Sequence, residues 1–438
     1  MATVPNNILI NVKTYQTNEL AYLLNMFVGI SISNKTFKDF QNKTANLGDT
    51  ITFELPTPAV TQGGLVVNAF QQTQLLLQNL VCSQASNSNS AYNDQQFLFN
   101  VDKYMKDIGE SRILALGSEI ERDILRNISS SVTVNDPQSP NFGQIVDPTS
   151  GPYRYYGDGR MAINSQVQLA QAVANFEDFG AAKNKQCAIL PSTRIPQFID
   201  NMSSKFAPVR NDEIVTDWML GKFSGFDWYE SNLLPQHIAG NVGKANTTLT
   251  LVSTNDPSGN NVTQLTFSGA TPNDLGAIVA ADRFTFIDGV SGQPDMRFLQ
   301  FYGQGESEQP VQCRVTSVVS GADGSGNVTV NIYPALKSTF GPGKNINNAL
   351  NAGMQVTFAN SCKFGVLMSG DQFFLAMPQL PDMQPYPTVT TVDKESGASI
   401  RHYWGAGLGN QVRGYIWDAI WGSCLVANNC MAICFPLN

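Results

Sequence analysis

Gln312–Val319 (QCRVTSVV), the turn Gly321-Ala322-Asp323-Gly324-Ser325-Gly326-Asn327, and Asn327–Ile332 (NVTVNI) read as strand, turn and strand. The turn lacks the terminal Glu of a calcium loop and reads as a hairpin connection. The same texture continues on both sides. Thr247–Val252, Val262–Phe267, Arg283–Ile287, Arg297–Tyr302 and Met354–Phe358 are further short β-runs. Between them lie turns rich in Gly, Asn, Asp and Pro, such as Asn255-Asp256-Pro257-Ser258-Gly259. Many short strands with such turns predict a small barrel or sandwich. The tract opens near Ala239 and closes near Ser361. After Cys362 the pattern returns to mixed α/β, so the β-tract reads as a module inserted into a parent domain.

Upstream, the first fifty residues mix short apolar and polar pieces and read as an arm. Leu47-Gly48-Asp49-Thr50-Ile51-Thr52-Phe53-Glu54-Leu55-Pro56 then reads as a turn feeding a strand, with Ile51, Phe53 and Leu55 at period two. Thr57 to about Asn100 is rich in Gln, Asn and Ser, with strand-like pieces at Gly64–Phe70, Thr73–Val81 and Gln95–Phe99. No Lys or Arg occurs between Lys43 and Lys103. Asp102–Ser130 is the clearest helix, with Tyr104, Met105, Ile108, Leu116, Ile120, Ile124 and Ile128 on one stripe and a length of roughly 40 Å. Gly109 and Gly117 each cost it about 1 kcal/mol against Ala, so tertiary packing must hold it. A second helix is capped by Asn164 or Ser165, carries Val167, Leu169, Ala170, Val173 and Phe176 on its apolar face, and stops at Gly180. Cys187–Leu190 reads as a short buried strand and Pro196–Phe206 as a third helix. This mixture makes the parent domain α/β or α+β.

At 438 residues the chain can hold two or three domains. Only 14% of it is charged, against roughly 25% in ordinary soluble domains. Asn, Gln, Ser, Thr and Gly replace the charge, which suits a surface covered by copies of itself and equally a neutral extracellular β-protein. The net charge of −8 argues against a direct nucleic-acid binder, though a container need not grip what it encloses. The start lacks a secretory pattern and no run of about 18 apolar residues exists, so a soluble protein made in the cytoplasm is expected. Seven cysteines, an odd number without His neighbours, read as buried thiols; Cys430-Met431-Ala432-Ile433-Cys434 is no metal pair.

No catalytic constellation is legible. Of the two histidines, His402 lies in the alternating run Ile400-Arg401-His402-Tyr403-Trp404 as a structural aromatic, and His237 lies in a turn at the edge of the insertion. There is no Gly-x-Ser-x-Gly, no His-Glu-x-x-His, and the cluster Gly405-Ala406-Gly407-Leu408-Gly409 has the wrong spacing for a dinucleotide. Catalytic, cofactor and metal residues are therefore expected to be none.

The order of parts resembles the major capsid (coat) proteins of tailed bacteriophages with the Hong Kong 97-like fold. Gly48-Asp49-Thr50-Ile51-Thr52-Phe53 is similar to the strand leading into that family's extended E-loop, and Asp102–Ser130 to its spine helix. Gly221-Lys222-Phe223-Ser224-Gly225-Phe226-Asp227-Trp228-Tyr229-Glu230-Ser231-Asn232-Leu233-Leu234-Pro235 is similar to a Gly, Gly-Phe, Ser and Pro segment of the family. A β-barrel inserted there resembles the insertion domain of the short-tailed-phage subgroup. The resemblance covers nearly the whole chain and implies an α+β fold. Its parts would be an N-terminal arm (1–48), E-loop region (49–101), peripheral domain with spine helix (102–160), first part of the axial domain (161–238), inserted all-β barrel (239–361) and a return to both domains (362–438).

It further implies a non-enzymatic homo-oligomer of pentamers and hexamers in an icosahedral virion shell, assembled in the bacterial host's cytoplasm. The shell would enclose double-stranded DNA without sequence-specific binding, with scaffolding and portal proteins as partners and no membrane. Some relatives weld subunits through an E-loop Lys. The stretch Thr57–Asn100 has none, so noncovalent contacts through Leu65, Val66, Val67, Phe70, Gln71 and Gln72 are expected. Two other readings remain open: an encapsulin-like nanocompartment, and a secreted carbohydrate-binding or hydrolytic protein.

Overall fold

The computed structural model describes residues 27–35, 50–55, 76–93, 110–135, 137, 139–180, 185–196, 198, 219–301, 305–341, 343–393, 398–406 and 412–437. Within them the chain is α+β, with an all-β barrel inserted into the body.

Before the barrel the chain forms α1 (Val28–Ile32), β1 (Thr50–Leu55), β2 (Leu76–Val81), β3 (Gln84–Asn93), α2 (Glu110–Arg126), β4 (Tyr155–Tyr156) and α3 (Gln166–Asp178). Next come β5 (Gln186–Pro191), β6 (Met219–Phe223), β7 (Phe226–Ser231) and β8 (Gln236–His237). After it come β17 (Cys362–Ser369), β18 (Phe373–Ala376), β19 (Thr388–Val392), β20 (Ser399–Ala406), β21 (Val412–Leu425) and β22 (Cys430–Pro436). These strands build a seven-stranded sheet, β4-β22-β17-β5-β7-β6 with β8 on β17, and a five-stranded sheet, β18-β21-β20-β19 with β3 on β21. β1 and β2 form a separate antiparallel ribbon, from Thr50↔Val81 to Leu55↔Leu76.

The seven-stranded sheet is covered on both faces, which explains its nearly unbroken apolar strands. Ala188, Leu190, Leu367, Met431, Ile433 and Phe435 face α3, meeting Leu169, Ala172, Val173 and Phe176. Cys187, Ile189, Val366, Met368, Cys430, Ala432 and Cys434 face the other way, into the core shared with α2 and β21. Both runs around Cys187 and Cys430 are thus central strands. The residues described after Cys362 form strands and short 3₁₀ turns, so the expected α/β alternation there is corrected. An apolar run bounded by turns does not by itself separate helix from doubly buried strand.

α3 begins with a capping box: the Ser165 hydroxyl accepts from the Gln168 amide (3.3 Å) and Gln168 Oε1 accepts from the Ser165 amide (3.1 Å). Gly180 ends the helix at φ +82°. Val167 was expected on the apolar face but is 67% exposed; the buried face is Leu169, Ala172, Val173 and Phe176. The expected third helix falls mostly outside the described residues, as do Gly64–Phe70, Gln95–Phe99 and the spine helix before Glu110.

α2 spans 17 residues, about 25 Å. Ile113, Leu116, Ile120, Ile124 and Leu125 are buried against β21 aromatics in one cluster. Its Gly117 is used for packing: a Cβ there would overlap the Phe27 ring.

Between β8 and β17 lies the inserted module. It contains α4 (Asn241–Ala245), β9 (Leu249–Thr254), β10 (Val262–Ser268), β11 (Arg283–Phe286), β12 (Arg297–Leu299) and β13 (Glu306–Pro310). β14 (Gln312–Ser320), β15 (Val328–Leu336) and β16 (Gln355–Phe358) complete it. β10-β15-β14-β11-β16-β9 close into a barrel, and β12–β13 form a side ribbon. Inside, Leu251, Leu265, Phe267, Phe284, Cys313, Val330 and Phe358 are each 2% exposed or less. Phe284 lies edge-on to Phe267, with ring centroids 5.4 Å apart. The β14–β15 hairpin turns on Asp323, whose carboxylate accepts from the amides of Ser325 and Asn327 (both 2.8 Å).

Candidate functional site

The expected subunit-contact residues Leu65, Val66, Val67, Phe70, Gln71 and Gln72 lie outside the described residues. The structure instead builds its most elaborate polar site where the barrel leans on the body.

Period two sends Phe284, Cys313 and Val315 into the barrel and turns Arg283, Gln312 and Arg314 outward. These outward residues are nevertheless 2%, 8% and 1% exposed, because this wall is pressed against residues 128–155. The Gln312 amide clasps the β4 backbone: Oε1 accepts from Tyr155 N (2.8 Å) and Nε2 donates to Tyr155 O (3.0 Å). Tyr155 and Thr285 share a hydroxyl bond of 2.6 Å.

Arg283 and Arg314 stand directly opposite each other across β11 and β14. Among the described residues no carboxylate is bonded to either. Arg314 donates to the carbonyls of Pro148 (2.5 Å), Ser150 (3.1 Å), Gly151 (3.1 Å) and Pro152 (3.3 Å), and to the Ser130 hydroxyl. Arg283 donates to Ile128 O (2.7 Å) and Pro152 O (3.2 Å), and its guanidinium lies 4.3 Å from the centre of the Phe364 ring. Ile128 sits in the turn closing α2, so the negative end of that helix meets the two cations. Burial, with the neighbouring Arg283 adding to it, pushes Arg314 down to about 9, so it stays charged at neutral pH.

The chain's passage into and out of the barrel is tied beside this wall. β8 pairs with the start of β17 (Cys362↔His237, Lys363↔Gln236). His237 thus lies in a short strand and not a free turn. Its Nε2 meets Asp282 Oδ1 at 2.7 Å, and Asp282 Oδ2 also accepts from Val279 N (2.8 Å) and Gly240 N (3.2 Å). The Ala239 amide donates to Ser361 Oγ at 3.0 Å.

These groups tie barrel and body together. Among the described residues no group of three or more His, Cys, Asp or Glu could hold a metal ion. No helix among them is long and apolar enough to cross a membrane. All seven cysteines are buried and none is in a disulfide, and burial pushes the Cys187 and Cys430 thiols up to about 12, away from the reactive thiolate.

His402 is fully buried in β20, stacked 4.8 Å from Trp417 at 7° and 5.3 Å from Tyr415. Among the described residues neither ring nitrogen has a hydrogen-bond partner, and burial pushes it down to about 4. A histidine depressed in the folded state contributes stability above its ordinary value that is lost as pH falls. His402→Phe, which keeps the stack and removes two unsatisfied nitrogens, is expected to raise the unfolding free energy by about 1–2 kcal/mol and to flatten its fall between neutral pH and pH ~4. Denaturant titrations at both ends of that range check this; a destabilised variant contradicts it.

No family model matches the chain, and no curated protein matches it. Among solved structures it is similar to a chain from Mycobacterium phage Che8 (7% identity, 93% of this chain and 90% of that one, TM-score 0.39). It is similar to one from the capsid of Cyanophage P-SCSP1u (10% identity, 93% and 90%, TM-score 0.38). A third is from the capsid of a native GTA particle (6% identity, 90% and 86%, TM-score 0.41).

Proposed function

We propose that the chain is a major capsid protein of a tailed bacteriophage, with the Hong Kong 97-like fold and a β-barrel insertion domain of the short-tailed-phage type. The observation that carries this reading is the closed six-stranded barrel inserted between β8 and β17, whose paired strands return the chain to the sheet it left. The barrel has an apolar interior of its own strands, and Tyr153, Phe179 and Ala427 of the body join its cluster at the seam. The ribbon β1–β2, the amphipathic α2 and a charged fraction of only 14% fit a subunit that buries much of its surface against copies of itself.

On this reading pentamers and hexamers form an icosahedral virion shell around double-stranded DNA. Assembly takes place in the host cytoplasm with scaffolding and portal proteins, and without catalysis. Leu65, Val66, Val67, Phe70, Gln71 and Gln72 reach neighbouring subunits, and the contacts are noncovalent because the stretch Thr57–Asn100 has no lysine. Negative-stain microscopy of the purified chain, with and without co-expressed scaffold, is expected to show closed shells, tubes or capsomers. Denaturing electrophoresis of mature particles should give the subunit as a single monomer band without heavier oligomers. A persistent monomer overturns the assembly reading, and a ladder of covalent oligomers overturns the noncovalent one.

A further inference from the structure

Residues 27–35 cross the body as a strap, keyed to α2 by one carboxylate and two glycines. Glu121 is 1% exposed, and its Oε1 and Oε2 accept from the amides of Gly29 (2.8 Å) and Ile30 (3.0 Å). A Cβ on Gly29 would stand 2.8 Å from Glu121 Oε2, and one on Gly117 would overlap the Phe27 ring. The other end of the strap is tied to β18, where Asn34 N donates to Phe373 O (2.7 Å) and Leu375 N donates to Asn34 O (3.0 Å). A cavity of about 480 Å³ opens beside Phe27, Val28 and Glu121, and another of about 570 Å³ beside Ser31–Lys35. Val28 and Ile30 of the strap are buried in the core shared with α2, and Glu121 supplies the polar anchor between them and the tie to β18.

Seating the strap takes the Glu121 carboxylate out of water and gives it two amide donors in return. The charges facing it are few. Lys35, at the end of the strap, attracts it and is itself attracted by Asp393. Glu230 of β7 lines the same cavity and adds negative charge. Among the described residues no cation bonds the carboxylate directly, so its ionised form is poorly compensated there once buried.

We propose that Glu121 makes the seating of the strap on α2 a proton-linked step, tightest with the carboxyl protonated and looser once it ionises. Burial pushes this carboxyl up to about 7, only partly opposed by the two amides and Lys35. A carboxyl raised in the docked state favours docking below its ordinary range, and that advantage is lost as pH rises through 7. Burial likewise pushes Lys35 down to about 8, which gives the opposite slope, but between pH 5 and 8 its effect changes by only about twofold. The carboxyl dominates this interval. The device works within one subunit and does not depend on shell assembly.

Hydrogen exchange of the full chain, corrected for intrinsic rates, tests this on a peptide covering 27–35. Protection of the wild-type strap is expected to fall between about tenfold and a hundredfold from pH 5 to pH 8, while the α2 interior around Ile120 keeps its protection. Glu121→Gln keeps one acceptor oxygen for the two amides, and should hold the strap less tightly than wild type at pH 5 but with a flat profile. A flat wild-type profile overturns the proposal. So does a parallel loss across α2, or a Glu121→Gln protein that keeps the wild-type slope. The wild-type measurements decide the matter even if the variant fails to fold.

Discussion

Arg314→Met is expected to lower the unfolding free energy by about 3–5 kcal/mol at neutral pH. The change removes a buried cation, which alone would help, since a charge taken out of water costs free energy. It also leaves the carbonyls of Pro148 and Gly151 facing an apolar thioether and takes one donor from those of Ser150 and Pro152, which keep the Ser130 hydroxyl and Arg283, each unsatisfied acceptor costing about 1–3 kcal/mol. The carbonyls outnumber the charge, so the loss wins. Arg314→Lys is expected to recover less than half, because a single ammonium cannot span acceptors spread over five residues as a planar guanidinium does. All five tryptophans lie outside the barrel tract 239–361, so tryptophan emission follows the body and circular dichroism follows both parts. Weakening the joint between barrel and body in the Met variant should separate the two signals. Coincident transitions with a loss under about 1 kcal/mol would mean that Arg314 is not what joins barrel to body.

The reason this wall was illegible in the sequence is instructive. Strands β9, β10, β11, β14, β15 and β16 were readable because each is bounded by turn residues and sends a small apolar set inward. The same alternation places Arg283, Gln312 and Arg314 on what reads as a solvent face. Only the long-range approach of residues 128–155 buries them, and no local pattern encodes that approach. β13 was missed for a different reason. Glu306-Ser307-Glu308-Gln309-Pro310 is charged and ends in Pro, and its place in the fold comes from pairing with β12 and from Asp178, which accepts from the Glu308 amide at 2.9 Å. Glu121 and Asp123 illustrate the same limit on α2. The helical stripe of Leu116, Ile120 and Ile124 was visible, but both carboxylates look like ordinary surface charge until the strap and β21 close over them. The one local hint was Gly117, too costly in a helix unless something packs against it, and Phe27 is what packs there.

Trp421→Ala is the second change expected to be severe, at about 3–5 kcal/mol. Trp421 is fully buried where α2, β3 and β21 meet, and its Nε1 donates to Asp123 Oδ2 at 3.1 Å. Two losses are combined in that figure, ring volume and the donor, and Trp421→Phe separates them. The phenyl ring keeps much of the packing, so the remaining cost of about 1–3 kcal/mol reports the carboxylate left without its donor. The two losses also differ in pH dependence. Burial pushes Asp123 up to about 6, against the pull of the Trp421 N–H and of Arg126. A carboxyl raised in the folded state contributes stability in acid that is lost as pH rises through its folded value. Removing the N–H raises that carboxyl further, which deepens the loss on the alkaline side and leaves the acid side nearly unchanged. The deficit of Trp421→Phe relative to wild type should therefore be larger at pH 8 than at pH 5, whereas a pure packing defect gives the same deficit at both. Unfolding free energies measured at the two values distinguish these outcomes, and equal deficits would mean that the indole holds α2 against β21 by its volume alone.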